Sequence, residues 1–399
     1  MCSCATSVPT PVPAPPSVAP SARQREELEA LGYAASFEPS VHASGARTLA
    51  PGRVSPGLNL WDSGHDSVAF LTDDQGHEVH RWSSSLAAVL PDTIVGRRDD
   101  HHQHHFSRVD VTPAGGLVAI WQTYGLVKLD RDSRVLWAIP GGFHHHLEIE
   151  PDGSLWVISD ERRTTDAFGP AMSVWRDQVE HRGADGHLIE RVDLLSALQA
   201  APEHLAHVFP TPPHPPDIFH ANSVRVVADG AILGLPKGPN LLVSLRNPSA
   251  LVVVNVPTAR VVWSERGPWL QQHDAAALGD GRIQLFDNVG GPAGTARAMV
   301  WDSVADRIVW SWPSGDAPPI RARMLGAVQA LENGDTLVTH AIVGDVYEVA
   351  PDGEVVWEFT NPNQLTRTDA GPDAKPETAV ILAMRRIPPG WFGDWLKSP

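Results

Sequence analysis

Residues 271–288 read QQHDAAALGDGRIQLFDN, and residues 144–160 read HHHLEIEPDGSLWVISD. In each, a run of β-favouring residues meets an Asp-Gly turn and leaves it in a second such run, the pattern of a tight hairpin. The figure recurs as VDVTPAGGLVAIW from Val109, VRVVADGAILGL from Val224 and VQALENGDTLVT from Val328. Working outward from these hairpins, a short run closing on tryptophan appears at Trp82, Trp137, Trp263, Trp310 and Trp357, the last three spaced 47 residues apart. The longer interval between Trp137 and Trp263 holds DGHLIERVDL at 185–194, with Glu190 where tryptophan would stand. Between hairpin and tryptophan run lies a third apolar stretch, as in GLVKLD at 125–130, ALVVVN at 250–255 and DVYEVA at 345–350.

Each unit is therefore a four-stranded antiparallel meander, and six fit the chain, at roughly 58–90, 105–142, 144–193, 220–267, 272–312 and 326–360. A four-stranded unit repeated at about 45 residues predicts an all-β fold, a six-bladed β-propeller. The tryptophans are then packing residues between blades. The run AVILAMRRI at 379–387 is expected to return to the first blade and close the ring, since closure removes exposed strand edges. The domain reading is a disordered Pro-rich tail or tether over 1–22, a short helix and lead-in over 23–57, the propeller over 58–387 and a C-terminal tail over 388–399. Within the propeller, 194–219 reads as a helix and then a Pro-rich loop, a rim insertion or lid between blades three and four. A polar connector spans 361–378.

The chain carries 47 acidic against 31 basic residues, a formal charge of −16, which argues against a nucleic-acid partner. An anionic substrate would need a local cationic pocket. The only cysteines, Cys2 and Cys4, precede a proline tract, so no disulfide framework supports the fold. No apolar run approaches the roughly 20 residues of a spanning helix, and no complete signal peptide is present. The opening MCSCATSVPTPVPAPP resembles a mature lipoprotein start, which would place a lipid anchor at Cys2 and the chain in the periplasm or cell envelope. A plain disordered tail is the alternative reading.

Register places the candidate site. His145 stands eight residues before the turn glycine Gly153, His273 eight before Gly281, and Asn222 eight before Gly230 with His220 two further back. Innermost strands of a propeller run side by side along the central channel, so equal offsets put these side chains at one mouth. Arg246 and Asn247 follow the second strand of blade four, and Asp287 and Asn288 that of blade five, at the same end. Imidazoles, a guanidinium and an amide make a pocket for a compact oxyanion. His105 is the member of DDHHQHHF (99–106) expected to reach the mouth, standing ten before Gly115 as His220 stands ten before Gly230. No carboxylate–histidine spacing in that tract matches a closed metal site, and no metal or cofactor is expected. Asp274, next along the strand from His273, is expected on the opposite face as a structural residue.

Taken in order, HHHLEIEPDGSLWVI, FHANSV, SLRNPSALVVVN, QQHDAAALGDGRIQLFDN and LENGDTLVTHAIVGDVYEVAPDGEVVWEF resemble the arylsulfotransferase family of six-bladed propellers. That resemblance implies transfer of a sulfuryl group from an aryl sulfate ester to a phenolic acceptor without a nucleotide sulfate donor, in a periplasmic or exported protein. Its covalent nucleophile would fall on His273, giving a sulfohistidine, with His145, His220, Asn222 and Arg246 in support. His105, Asn222 and Asn288 would contact substrate, and either His145 or His220 would serve as acid and base. His146 stands where the family often has Asp. Other classes open to the same residues are a non-catalytic module binding a sulfated or phenolic ligand, and a histidine-ligated metalloenzyme.

Overall fold

The computed structural model describes residues 40, 42–95, 101–315, 317–365 and 376–397. Cys2, Cys4, the tail over 1–22 and the helix read at 21–35 lie outside them. Among the described residues six antiparallel sheets of four or five strands form in the order of the six predicted units, beside a two-stranded pair of Gln364–Leu365 with Glu377–Thr378. Blades two to six each run from innermost to outermost strand in chain order, beginning at Arg108–Val111, Gly142–Ile149, Ala221–Val226, His273–Gly279 and Ala327–Ala330.

Blade one is built from both ends of the ring. Its outer three strands are Leu58–Asp62, Val68–Thr72 and Glu78–Ser83, and its innermost is Met384–Ile387, which pairs antiparallel with Leu58–Asp62. Arg386 locks this closure: it is 2 % exposed, donates to Asn59 Oδ1 at 2.6 Å, and its guanidinium lies 3.1 Å from Glu348 of blade six. A second clasp was not visible in the pattern of repeats. Gly45–Thr48, inside the stretch read as a lead-in, adds a fifth strand outside Val355–Thr360 of blade six. The segment read as a C-terminal tail also packs down, with Trp391 and Trp395 donating to the carbonyls of Val111 and Pro113 at 3.3 and 3.1 Å.

The core is divided among the interfaces. Six buried apolar clusters form, one between each adjacent pair of blades, including one between blades six and one that joins Trp357 and Phe359 to Trp61 and Phe70. Both faces of every sheet are thus buried, which is why the strands read as near-continuous apolar runs. Trp82 and Trp357 are fully buried, while Trp137, Trp263 and Trp310 are half-buried at the margins of their clusters. Blade three, which has Glu190 at that position, covers its outer side differently. Helices Leu194–Gln199 and Pro202–Val208 lay Leu194, Leu195, Leu198 and Val208 into the cluster it shares with blade four. Asp193 caps the first helix, accepting from the Ser196 amide at 2.7 Å.

One predicted hairpin is not formed as read. After Asp229-Gly230 the chain does not turn back into a strand at AILGL, and the second strand of blade four is Asn240–Leu245. The intervening Gly234, Pro236, Gly238 and Pro239 cannot sustain a ladder. Ala231 and Ile232 instead bury themselves against blade five.

Candidate active site

The innermost strands of blades three, four and five each break their pairing at the same end. In blade five the register shifts between His273 and Ala276, in blade four between Ala221 and Ser223, and in blade three opposite Val157 and Ser159, where His144 to His146 are left unpaired. Each is a β-bulge, which kinks a strand and re-aims its side chains. The backbone there is strained: His145, Asp274 and His220 hold φ of +57°, +48° and +51°. Non-glycine residues in this left-handed region cost about 1–3 kcal/mol each and persist where the surroundings impose them.

The bulges turn their residues onto one axial cavity of about 30 Å³, room for a compact group or a couple of water molecules. Every blade contributes to its wall: Arg108 from blade two, His145 from three, Asn222 from four, His273 from five, Gly326 at the start of six, and Leu382 just ahead of the closing strand. Gly326 has a φ of +103°, and a Cβ there would stand 2.5 Å from the Phe286 ring, so only glycine fits this close approach.

His273 is 5 % exposed and its protonation state is fixed by its neighbours. Nδ1–H donates to Asn288 Oδ1 at 2.7 Å and to the Gln271 carbonyl at 3.2 Å. Asn288 cannot present its amide the other way round, because Nδ2 donates to the carbonyls of Ala322 and Leu325, both at 2.8 Å. The hydrogen therefore sits on Nδ1 and the lone pair on Nε2. Burial, reinforced by the Arg246 charge, pushes the His273 pKa down to about 3, so the ring is neutral at working pH.

His220 packs edge-on to His145, ring centroids 4.7 Å apart. Its Nδ1–H donates to Asp217 Oδ2 at 2.6 Å and its backbone N–H to Asp217 Oδ1 at 2.8 Å, leaving Nε2 available. Burial alone would raise the Asp217 carboxyl, yet the His220 imidazole brings it below its ordinary value. Asp217 closes the Pro-rich 210–217 loop, whose position follows from the two helices before it. Arg246 is 7 % exposed and donates to Asn247 Oδ1, Gln271 Oε1 and the Arg323 carbonyl at 3.1, 3.2 and 3.4 Å. Gln271 thus connects the guanidinium to the carbonyl that holds His273. His220 and Arg246 stand beside the cavity rather than in its wall. Asn222 Nδ2 donates to the Gln272 carbonyl at 2.7 Å, while its Oδ1 is buried without a partner.

His273, His145, His220, Asn222 and Arg246 are therefore brought together from three blades. Asn288, read as a substrate contact, is fully buried behind His273 and serves to orient it. His105 is buried 5.9 Å from His102, ring to ring, and is not part of this cavity wall. Asp274 departs from expectation for a physical reason. The bulge cancels the alternation of faces, so Asp274 lines the same cavity as His273. It accepts from Arg225 Nη2 at 2.8 Å and from the Val328 amide at 3.0 Å, and lies 3.5 Å from His146 Nε2. Despite burial, the Arg225 and Arg108 guanidinium groups hold its carboxyl well below the ordinary range.

Arg108 was not singled out by the sequence. It is 5 % exposed, donates to His146 Nε2 at 2.8 Å, and leaves Nε buried and unpartnered. His146 thus accepts from an arginine, where an aspartate would pair with it. The only signal for Arg108 was its place at the start of a blade's first strand, without a matching basic residue in other repeats.

Such a constellation defines a class: a propeller with a neutral imidazole presented in an axial cavity, flanked by a His–Asp pair and buried guanidinium groups. Residues 108–362 match the family described as arylsulfotransferase (ASST), and the chain belongs to that family. No curated protein matches it. Among solved structures it is similar to a protein of unknown function from Bacteroides caccae, at 14% identity and a TM-score of 0.51, over 83% of this chain and 98% of that one. It is also similar to the WD40 propeller domain of Doa1, at 12% identity and a TM-score of 0.45, over 89% of this chain and 97% of that one. These likenesses concern the fold alone. Among the described residues no helix is long and apolar enough to cross a membrane.

Proposed function

We propose that the chain moves a sulfuryl group from an aryl sulfate ester to a phenolic acceptor through a sulfohistidine at His273, with no nucleotide sulfate donor. The observation that carries this reading is the locked tautomer of His273: Nδ1–H is held by two carbonyl-type oxygens, and the Nε2 lone pair is free. In the first half-reaction Nε2 forms a bond to sulfur and the sulfur–oxygen bond to the aryl group breaks, the phenolate leaving with the electron pair. Positive charge growing on the ring is met at Nδ1 by Asn288 Oδ1 and the Gln271 carbonyl. His220, entering the step as the imidazolium with Nδ1–H held on the Asp217 carboxylate, gives its Nε2 proton to the departing oxygen and is left neutral. In the second half-reaction the acceptor phenol returns a proton to His220, its oxygen attacks sulfur, and the nitrogen–sulfur bond breaks.

The negative charge on the sulfuryl oxygens needs donors in a chain of net charge −16. Arg108 supplies one within the wall and Arg246 acts from beside His273. The decisive measurement is peptide mass spectrometry after exposure to a nitrophenyl sulfate. A sulfonate adduct is expected on the peptide holding His273, and nitrophenolate release is expected to depend on added phenol. His273→Ala should lose both, and full turnover in that variant overturns the covalent route. Asn288→Ala, which leaves the ring unheld, should slow adduct formation about 100-fold with little change in donor affinity.

A further inference from the structure

One residue before His145 in the chain stands His144, part of a second cluster, with Asp160 and Asp177, whose side chains the proposed reaction does not use. Asp160 and Asp177 stand directly opposite each other on the long hairpin of blade three, Leu155–Thr165 paired with Met172–Arg182. Like charges facing across a ladder destabilise a sheet, and here Asp177 is only 2 % exposed. Gly142, paired with Asp160 on the other side, gives that side chain room, for a Cβ at 142 would lie 2.4 Å from Asp160 Oδ1. Into the gap between the carboxylates points His144 Nε2, 3.8 Å from Asp160 Oδ2 and 4.0 Å from Asp177 Oδ1. The residue is 5 % exposed and this nitrogen has no hydrogen-bond partner. Asp177 Oδ2 accepts from the Ala221 amide at 2.6 Å, so what the cluster leaves unsatisfied is the buried ring nitrogen itself, aimed between a buried and a half-buried carboxylate.

We propose that His144, Asp160 and Asp177 form a binding site for one divalent transition cation of the zinc or manganese kind. The three donor atoms lie within 4.8 Å of one another. Ligands about 2.1 Å from a tetrahedral ion are about 3.4 Å apart, so the two imidazole–carboxylate separations close by about half an ångström and the two carboxylate oxygens by up to about 1.4 Å, with water in the remaining position. One imidazole with two carboxylates favours these ions over calcium or magnesium, which take oxygen donors. The cation also offsets the cost of a buried and a half-buried carboxylate facing each other, whose pKa values burial raises, that of Asp160 to about 7.

The site has a consequence for the neighbouring ring. His144 Nδ1 and His145 Nδ1 are 2.8 Å apart, so one must donate and the other accept. A cation on His144 Nε2 leaves the hydrogen on its Nδ1, which makes His145 Nδ1 the acceptor and His145 Nε2–H a donor in the axial cavity. This last step rests on the sulfuryl-transfer reading. The cation site itself does not.

Calorimetric titration of the chelator-treated full chain with Zn2+ and with Mn2+ tests the proposal. One equivalent should bind, with Asp160→Asn and His144→Gln each weakening uptake at least about 10-fold, and circular dichroism confirming that both variants fold. Absence of uptake, or uptake unchanged in both folded variants, overturns the site. Adduct formation at His273 should run faster in the loaded wild type than in the stripped protein, and equal rates overturn the link to His145. Calorimetry does not depend on the reaction, so loss of the sulfuryl reading would leave its result standing.

Discussion

At the level of the single residue, the property on which the proposed chemistry turns is a proton that His273 does not take up. In the unfolded chain its imidazole titrates near the ordinary value of about 6.5, whereas in the fold its pKa is about 3. Between those two values the unfolded state holds a proton that the folded state lacks, so the residue's contribution is intact above pH about 6.5 and is lost as pH falls. At pH about 5 the loss is about 2 kcal/mol. Urea unfolding of the wild type and of His273→Gln at pH about 7.5 and about 5 checks this: the variant should lose less stability on acidification, and equal losses would contradict the assignment. His273, His145 and Asn222 were legible in the sequence because matched offsets from turn glycines survive translation into a ring. Arg108 was not, because it has no counterpart in the other repeats, and Asp217 was not, because its position depends on a loop. The face of Asp274 was misread because a bulge has no signature in an alternating pattern.

Among elements, the six interfaces carry the stability, and the hairpin turns made their strands readable. Trp82 shows what such an interface contributes: it is fully buried between blades one and two, with Nε1 donating to the Gly115 carbonyl at 3.0 Å and Trp395 edge-on at 6.3 Å. Trp82→Ala should cost about 3–5 kcal/mol in chemical unfolding. Trp137→Ala should cost less, because that ring is half-buried, and an equal cost would mean that burial does not rank these residues. Where the strand reading failed, in the AILGL run of blade four, local glycines and prolines outweighed the apolar pattern. The strand Gly45–Thr48 escaped notice because it is four residues long and belongs to no repeat.

For the molecule as a whole, the ring is a closed circuit of interfaces that only its last strand completes. A chain ending before residue 379 lacks Met384–Ile387, exposes the Leu58–Asp62 edge and leaves Glu348 without Arg386. It should lose cooperative thermal unfolding and scatter light as it aggregates, and a truncated chain that stays monodisperse and melts like the full one would show the closure to be dispensable.

The closing strand has a further implication for biogenesis. A ribosome releases the first blade's outer three strands early and their inner partner only after five other blades have emerged. Until then the nascent polypeptide has an unpaired seam and, with Leu382 not yet delivered, an unfinished axial cavity. Closure of the cavity thus waits until residues 384–387 have emerged to pair with Leu58–Asp62.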